Sequence, residues 1–331
     1  MSLPAFALLR PRSLEEALGQ LAAHGPAAMI VAGGTDVVPN LRAGLFAPRT
    51  LVDIKGIREL RGIAFDPASG LHIGALTTIT EVAESPVVRQ HYPVLAEAAA
   101  TVASPVLRNM GTLGGNLCLE TRCLWYNQSY FWRQSCGFCL KKDGSVCHVA
   151  PGGKFCWAVW SGDTAPALLT IDAELEISSP RGPRRLPLSE FYKHDGMDRM
   201  RLERDEILGG VFVPARTADY AGSYSKLRVR HSIDYPLAGV AVAMKLDDGV
   251  CRDVRLGLTA VNPAPVLVRE VSELLRGQRY SPELVEAAAK AVIRTGKPLK
   301  TSVSTPEYRR EILQVYARRA LTKLWTGNGT H

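Results

Sequence analysis

Six of the seven cysteines in this 331-residue chain fall between residues 118 and 156, none precedes Cys118, and Cys251 stands alone. Disulfide frameworks belong to small exported domains, so clustering of this kind in a chain without an export signal reads as metal binding. The opening residues, MSLPAFALLRPRS, have a short apolar stretch followed by Arg10 and Arg12. That order is not the charged, apolar, cleavable order of a secretory signal. No apolar run reaches the roughly 18 residues of a spanning helix. The chain is therefore expected in the cytoplasm, with no membrane span.

With 46% hydrophobic residues the chain can bury a substantial core, and its length suggests two or three compact units. The formal charge is +8, but the 40 basic residues are scattered among 32 acidic ones and form no long run interleaved with aromatics. Nucleic-acid binding lacks its electrostatic footprint. A basic surface suits an anionic cofactor or an acidic partner instead.

Ser13 and Glu16 have capping-box spacing, and Leu14, Ala17, Leu18 and Leu21 recur on one helical face until Gly25. Ala28–Val31 then reads as a strand, stopped by Gly33-Gly34, with a helical turn over Val37–Arg42. Further strands are expected at Thr50–Ile54, Leu71–Ala75, Ala238–Leu246 and Val254–Val261. Helices are expected at Val94–Val102, Ser281–Ile293 and Thr305–Leu324, and Ala165–Ile177 reads as helix then strand. Residues 216–222 read as a linker. From Cys118 to Trp160 the regular pattern breaks, and four of the five tryptophans lie there, as if to fill the small core of an insertion.

The AGGTD segment at 32–36 sits where a strand hands over to a helix, so its backbone N–H groups can converge on a phosphate. Alone it is equally a tight turn. A second glycine-rich stretch, residues 111–116, changes the reading, because each loop adds a hydroxyl (Thr35, Thr112) and a carboxylate or amide (Asp36, Asn116). Together they suit a pyrophosphate and the hydroxyls of a dinucleotide. No GxxxxGK[ST] or GxGxxG pattern is present, which disfavours P-loop and Rossmann sites.

AGGTD at 32–36, RNMGTLGGN at 108–116, SGDTAPALL at 161–169, and Tyr224-Ser225-Lys226 followed by Arg228 resemble the FAD-binding subunit of the molybdenum hydroxylases. The resemblance spans nearly the whole chain. It implies an α+β chain with an FAD-binding fold of the vanillyl-alcohol-oxidase (PCMH) type in two subdomains, 1–60 and 61–215. A C-terminal sandwich-like α/β domain, 216–331, would follow. The implied FAD contacts are Ile30, Val31, Ala32, Gly33, Gly34, Thr35, Asp36, Val37, Thr112, Gly115, Asn116, Asp163 and Lys226, with Lys226 near the flavin ring.

About forty residues separate GGN from the Asp163 segment, where most of that family has a near-direct connection. LCLETRCLWYNQSYFW and CLKKDGSVCHV are similar to the insertion in the beta subunit of 4-hydroxybenzoyl-CoA reductase, which holds a [4Fe–4S] cluster. The implied ligands are Cys123, Cys139, Cys147 and Cys156. A cubane needs four thiolates, one for each iron. Cys136 and Cys139 also make a CxxC unit that would suit zinc, Cys118 is expected to pack as a small apolar residue, and adjacency to Cys147 argues against His148 as a ligand.

The resemblance implies an electron-transfer subunit with no catalytic residue of its own. FAD would exchange electrons with a small [2Fe–2S] subunit and, through it, with a large molybdenum-cofactor subunit, in a dimer of heterotrimers supplied by a carrier such as ferredoxin. The assembled enzyme would dehydroxylate an aromatic CoA thioester reductively, a reaction of aromatic degradation. The alternatives are a related dehydrogenase or hydroxylase working oxidatively, a standalone FAD oxidase, and a zinc-stabilised module without flavin.

Overall fold

The computed structural model describes residues 3–301 and 303–327. Three sheets organise the chain. The first is parallel and three-stranded, order β1-β3-β2, from β1 (Ala7–Leu9), β2 (Ala28–Val31) and β3 (Thr50–Asp53). Parallel neighbours need crossovers, and helices Leu14–His24 and Val37–Arg42 supply them. The first helix drives Ala17 and Leu21 onto Val52, Ile54 and Ile57. Only half of the expected capping box forms at its start. Ser13 Oγ accepts the Glu16 N–H at 3.1 Å, while the Glu16 carboxylate turns outward to Arg12 N and Gln20.

The second sheet is antiparallel, order β4-β5-β8-β6-β7, from β4 (Ile63–Asp66), β5 (Gly70–Gly74), β6 (Glu174–Ser178), β7 (Arg184–Pro187) and β8 (Ile207–Pro214). Alternation along β6 sends Leu175 and Ile177 inward and leaves the glutamates outward. The inward face packs on helices Ile79–Glu84, Pro93–Ala100 and Thr164–Thr170 in the largest core.

The third sheet, order β12-β11-β10-β9, comprises β9 (Ala221–Leu227), β10 (Ala238–Asp247), β11 (Val250–Thr259) and β12 (Val266–Leu267). Val240, Val242 and Met244 of β10 join a core with helices Arg269–Leu275, Pro282–Thr295 and Pro306–Thr326. Ala241 and Ala243, one residue out of phase, face the large central core. A strand buried on both faces reads as a continuous apolar run, as β10 does. The expected linker at 216–222 is not free. Ala215–Thr217 form a 3-10 turn with Thr217 Oγ1 donating to Ile171 and Pro214 carbonyls, and β9 begins at Ala221. Among the described residues, no helix is long and apolar enough to cross a membrane.

Candidate functional site

The two glycine loops touch. Gly34 has φ 73°, the left-handed turn that brings β2 round into helix Val37–Arg42, and Gly33 abuts Met110, where a Cβ would lie 1.8 Å from the carbonyl oxygen. Thr112 caps the next helix, Leu113–Leu117, by accepting the Gly115 N–H at 3.1 Å. Between the loops opens a cleft of about 830 Å³, within the range of roughly 300–1,000 Å³ typical of small-molecule sites.

Ile30, Ala32, Gly33, Gly34, Thr35, Asp36, Val37, Thr112, Gly115, Asn116 and Asp163 line this cleft. Two residues expected there do not. Val31 turns the opposite way along β2 and packs with Leu41 and Leu51. Lys226 stands behind Asp163 with its side chain 2% exposed. Its Nζ donates to Asp163 Oδ2 and the Thr101 carbonyl, both at 2.9 Å, and Tyr224 OH donates to Asp163 Oδ1 at 2.7 Å. Burial raises the Asp163 carboxyl above its ordinary range, opposed by Lys226 and Tyr224. Asn116 Oδ1 accepts from Thr164 N and Oγ1, leaving the amide N–H groups as the donors available to a ligand.

Asp36 lines the cleft, but its carboxylate is already occupied. It is ion-paired with Arg122 and accepts from Tyr235 OH at 3.1 Å and the Glu120 N–H at 3.2 Å. Sequence reading missed these three partners, of which Glu120 and Arg122 alternate in position just after the GGN loop. Arg122 also lines the cleft, with its Nε buried and without a partner among the described residues. A buried unpaired donor beside two backbone loops is what an anionic diphosphate would satisfy.

Directly behind this wall, Cys123, Cys139, Cys147 and Cys156 line one small space with Trp125, Tyr126, Lys141 and His148. The enclosed volume is about 10 Å³, room for little more than a single water. A hairpin holds Cys139, with Lys142 N and Gly144 N donating to its carbonyl at 2.9 and 3.1 Å. Cys156 Sγ accepts the Ala158 N–H at 3.4 Å, and the Cys156 N–H donates to Asp195 at 3.1 Å. Burial pushes the Cys123 thiol up and the Cys156 thiol up to about 11, so these thiols favour the neutral form until a cation compensates. Among the described residues, no three Cys, His, Asp or Glu side chains are placed to hold one metal ion.

The other cysteines lie elsewhere. Cys136 ends helix Tyr130–Ser135 outside the space, Cys251 sits in the C-terminal core, and Cys118 lines the cleft with its thiol pushed up to about 11 by burial. His148 Nε2 meets the Phe138 carbonyl and its ring lies against Trp125, which in turn packs on Trp132. These three build the insertion's own core. Trp160 does not join them, contrary to expectation, because its fully buried ring belongs to the large central core beside Tyr192.

The profile described as FAD binding domain in molybdopterin dehydrogenase matches residues 4–216, and that of the CO dehydrogenase flavoprotein C-terminal domain matches 223–324. The nicotinate dehydrogenase FAD-subunit of Eubacterium barkeri is 31% identical, over 93% of this chain and 92% of its own length. The carbon monoxide dehydrogenase medium chain of Hydrogenophaga pseudoflava is 29% identical, over 97% of this chain and 98% of its own. A solved structure of carbon monoxide dehydrogenase from the same organism superposes with a TM-score of 0.81 at 28% identity, covering 98% of this chain and 99% of that one. Quinoline 2-oxidoreductase from Pseudomonas putida 86 gives 0.79 at 25% identity, covering 99% and 100%. Two contiguous domain matches and full-length similarity place this chain among the FAD-binding oxidoreductase subunits of the molybdenum hydroxylase family.

Proposed function

We propose that this chain carries FAD in the cleft and a [4Fe–4S] cluster in the thiol cage, and relays electrons within a 4-hydroxybenzoyl-CoA reductase. The observation that carries the proposal is the convergence of Cys123, Cys139, Cys147 and Cys156 on one space that backs onto the cofactor cleft. Four soft donors match a cubane in number and kind, one thiolate for each iron, and the roughly 10 Å³ between them would have to widen to admit it. FAD, when bound, supplies one- and two-electron transfer. The backbone of Ile30–Val37 and Gly115 would take the pyrophosphate, with Arg122 Nε as a further donor and Thr112 fixing the second loop. Asn116 and Asp163 would hold hydroxyls of the cofactor, with Lys226 and Tyr224 fixing Asp163.

The chain would function in the cytoplasm beside a large molybdenum-cofactor subunit and a small [2Fe–2S] subunit, as a dimer of heterotrimers. Within it, 1–60 and 61–215 would form the two FAD-binding subdomains, the second carrying the insertion 118–160, and 216–331 the C-terminal domain. Seven of the eighteen exposed large apolar side chains among the described residues fall between 124 and 157. That concentration along the insertion supports docking of an external one-electron carrier such as ferredoxin there.

A second reading, an oxidative dehydrogenase, is favoured by the names of the relatives, which include nicotinate and carbon monoxide dehydrogenases. Purification from the native host separates the two. The reductase reading predicts co-purifying molybdenum-containing and [2Fe–2S] subunits and dehydroxylation of 4-hydroxybenzoyl-CoA with a low-potential donor. An assembly that instead oxidises a heterocycle, and leaves this thioester untouched, overturns it. A lone active flavoprotein overturns the relay altogether.

A further inference from the structure

Lys141 lines the same small space as the four thiols, with its side chain 6% exposed. An ammonium that deep loses its hydration and persists only where it is paired. Its Nζ donates to Glu120 Oε1 at 2.6 Å, to the Gly196 carbonyl at 2.6 Å and to Thr121 Oγ1, and lies 4.6 Å from the centre of the Tyr126 ring. Those contacts leave it one position. The neighbouring Lys142 is different, being 31% exposed and 3.7 Å from Asp143.

Glu120 is equally buried, at 7%, and is shared with Arg199, whose guanidinium lies 3.5 Å away. Glu120 and Arg199 line the flavin cleft, whereas Lys141 lines the thiol cage. The pair therefore spans the wall between the two spaces. Stability is a poor reason for such a pair, since apolar replacements of buried ion pairs are commonly neutral or stabilising. What an apolar pair could not supply is a charge held at the cage, with the Glu120 carboxylate fixed between it and Arg199 on the cleft side.

We propose that Lys141 is a fixed positive charge that raises the reduction potential of the cluster, and that Glu120 is its counterweight on the flavin side. This rests on the cage holding a [4Fe–4S] cluster. Reduction adds one electron to an assembly that already contains four thiolates, with no bond made or broken. A cation held in a low-dielectric wall favours the more negative state, so the potential rises with the charge and falls without it. Lys141 thereby acts on the cluster as a positioning residue for charge, and contributes no ligand.

The test is an EPR-monitored redox titration of the assembled enzyme with dithionite and mediators, on wild type, Lys141→Met, Glu120→Gln and Lys142→Met. Iron, acid-labile sulfide and flavin are measured first. Lys141→Met should lower the reduced-to-oxidised ratio at a given potential about tenfold, equivalent to about 59 mV for one electron. Glu120→Gln should shift the midpoint the other way, and Lys142→Met should leave it in place. Opposite signs are a signature that a merely structural pair would not give. Equal midpoints in all four proteins, or shifts of the same sign for Lys141→Met and Glu120→Gln, overturn the proposal. Should Lys141→Met lose its cluster, the sign of Glu120→Gln alone decides, and loss of iron from both variants overturns it in favour of a structural role. Wild-type enzyme with full flavin and no iron overturns the cluster itself and this inference with it, whereas full iron with unmoved midpoints overturns the inference alone.

Discussion

Replacing Gly33 by alanine should cost the protein its flavin. A Cβ at residue 33 would stand 1.8 Å from the Met110 carbonyl oxygen and 2.6 Å from its carbon, where real contacts stay above 3.0 Å. The obstacle is backbone and cannot rotate aside, so the two glycine loops must part by roughly 1.2 Å, the difference between 3.0 and 1.8 Å. Overpacking of that kind costs about 1–3 kcal/mol of stability. Its larger effect is on the ligand, because backbone donors aimed at a diphosphate lose their alignment. One charge-assisted hydrogen bond lost is about 1.5–3 kcal/mol, or about 10- to 150-fold in affinity. The assay is FAD titration of deflavinated enzyme, with flavin-to-protein ratio and thermal unfolding alongside. Gly19→Ala is the control, since Gly19 is exposed on helix Leu14–His24 with nothing within 4 Å of the added methyl. It should raise stability by about 0.5–1 kcal/mol and leave FAD affinity alone. Binding by Gly33→Ala within about twofold of wild type would refute the reasoning.

Lys226→Met should destabilise the chain by about 3–5 kcal/mol in chemical denaturation, because it leaves the Asp163 charge buried without its ion-pair partner and with Tyr224 as the remaining side-chain donor. Adding Asp163→Asn should recover much of the loss, and failure to do so would mean that the charge is not the cause. Glu206 accepts from Arg184 at 2.8 Å and from the Glu203 N–H, and the Arg184 contact holds its carboxyl below the ordinary 4.5. A depressed folded value contributes stability that is complete above the unfolded value and lost as pH falls through the folded one. Glu206→Gln should therefore flatten the decline of the melting temperature below pH 4.5, and an unchanged acid limb would count against the pair.

Elements whose character is set locally were legible in the sequence. The β2–glycine–helix unit, the apolar run of β10 and the helix at 306–326 follow from periodicity and turn chemistry. Contacts between distant residues were not. The need for glycine at 33 arises from Met110, seventy-seven positions away, and Gly34 is required instead by its left-handed turn. The sequence placed Lys226 near the flavin ring by resemblance and gave no sign of its partners, Asp163 and the Thr101 carbonyl. Trp160 lies at the edge of the cysteine segment in sequence, yet packs into the central core because the chain returns to the domain there. Glu120 and Lys141, twenty-one residues apart with no periodic relation, became a pair only through the fold of the insertion. The grouping of the four cysteines was legible only through resemblance to a known insertion, since six thiols offer many sets of four and spacing does not choose among them.

The central claim is that this subunit carries a cubane cluster as well as flavin, and the CxxC pair tests it most directly. Iron, acid-labile sulfide, zinc and flavin should be measured on wild type, Cys139→Ser and Cys136→Ser. Wild type should carry about four irons and four sulfides per chain. Both should be lost in Cys139→Ser, where a harder oxygen replaces a thiolate lining the cage, and kept in Cys136→Ser. Zinc in place of iron, or iron kept by Cys139→Ser and lost by Cys136→Ser, would contradict it.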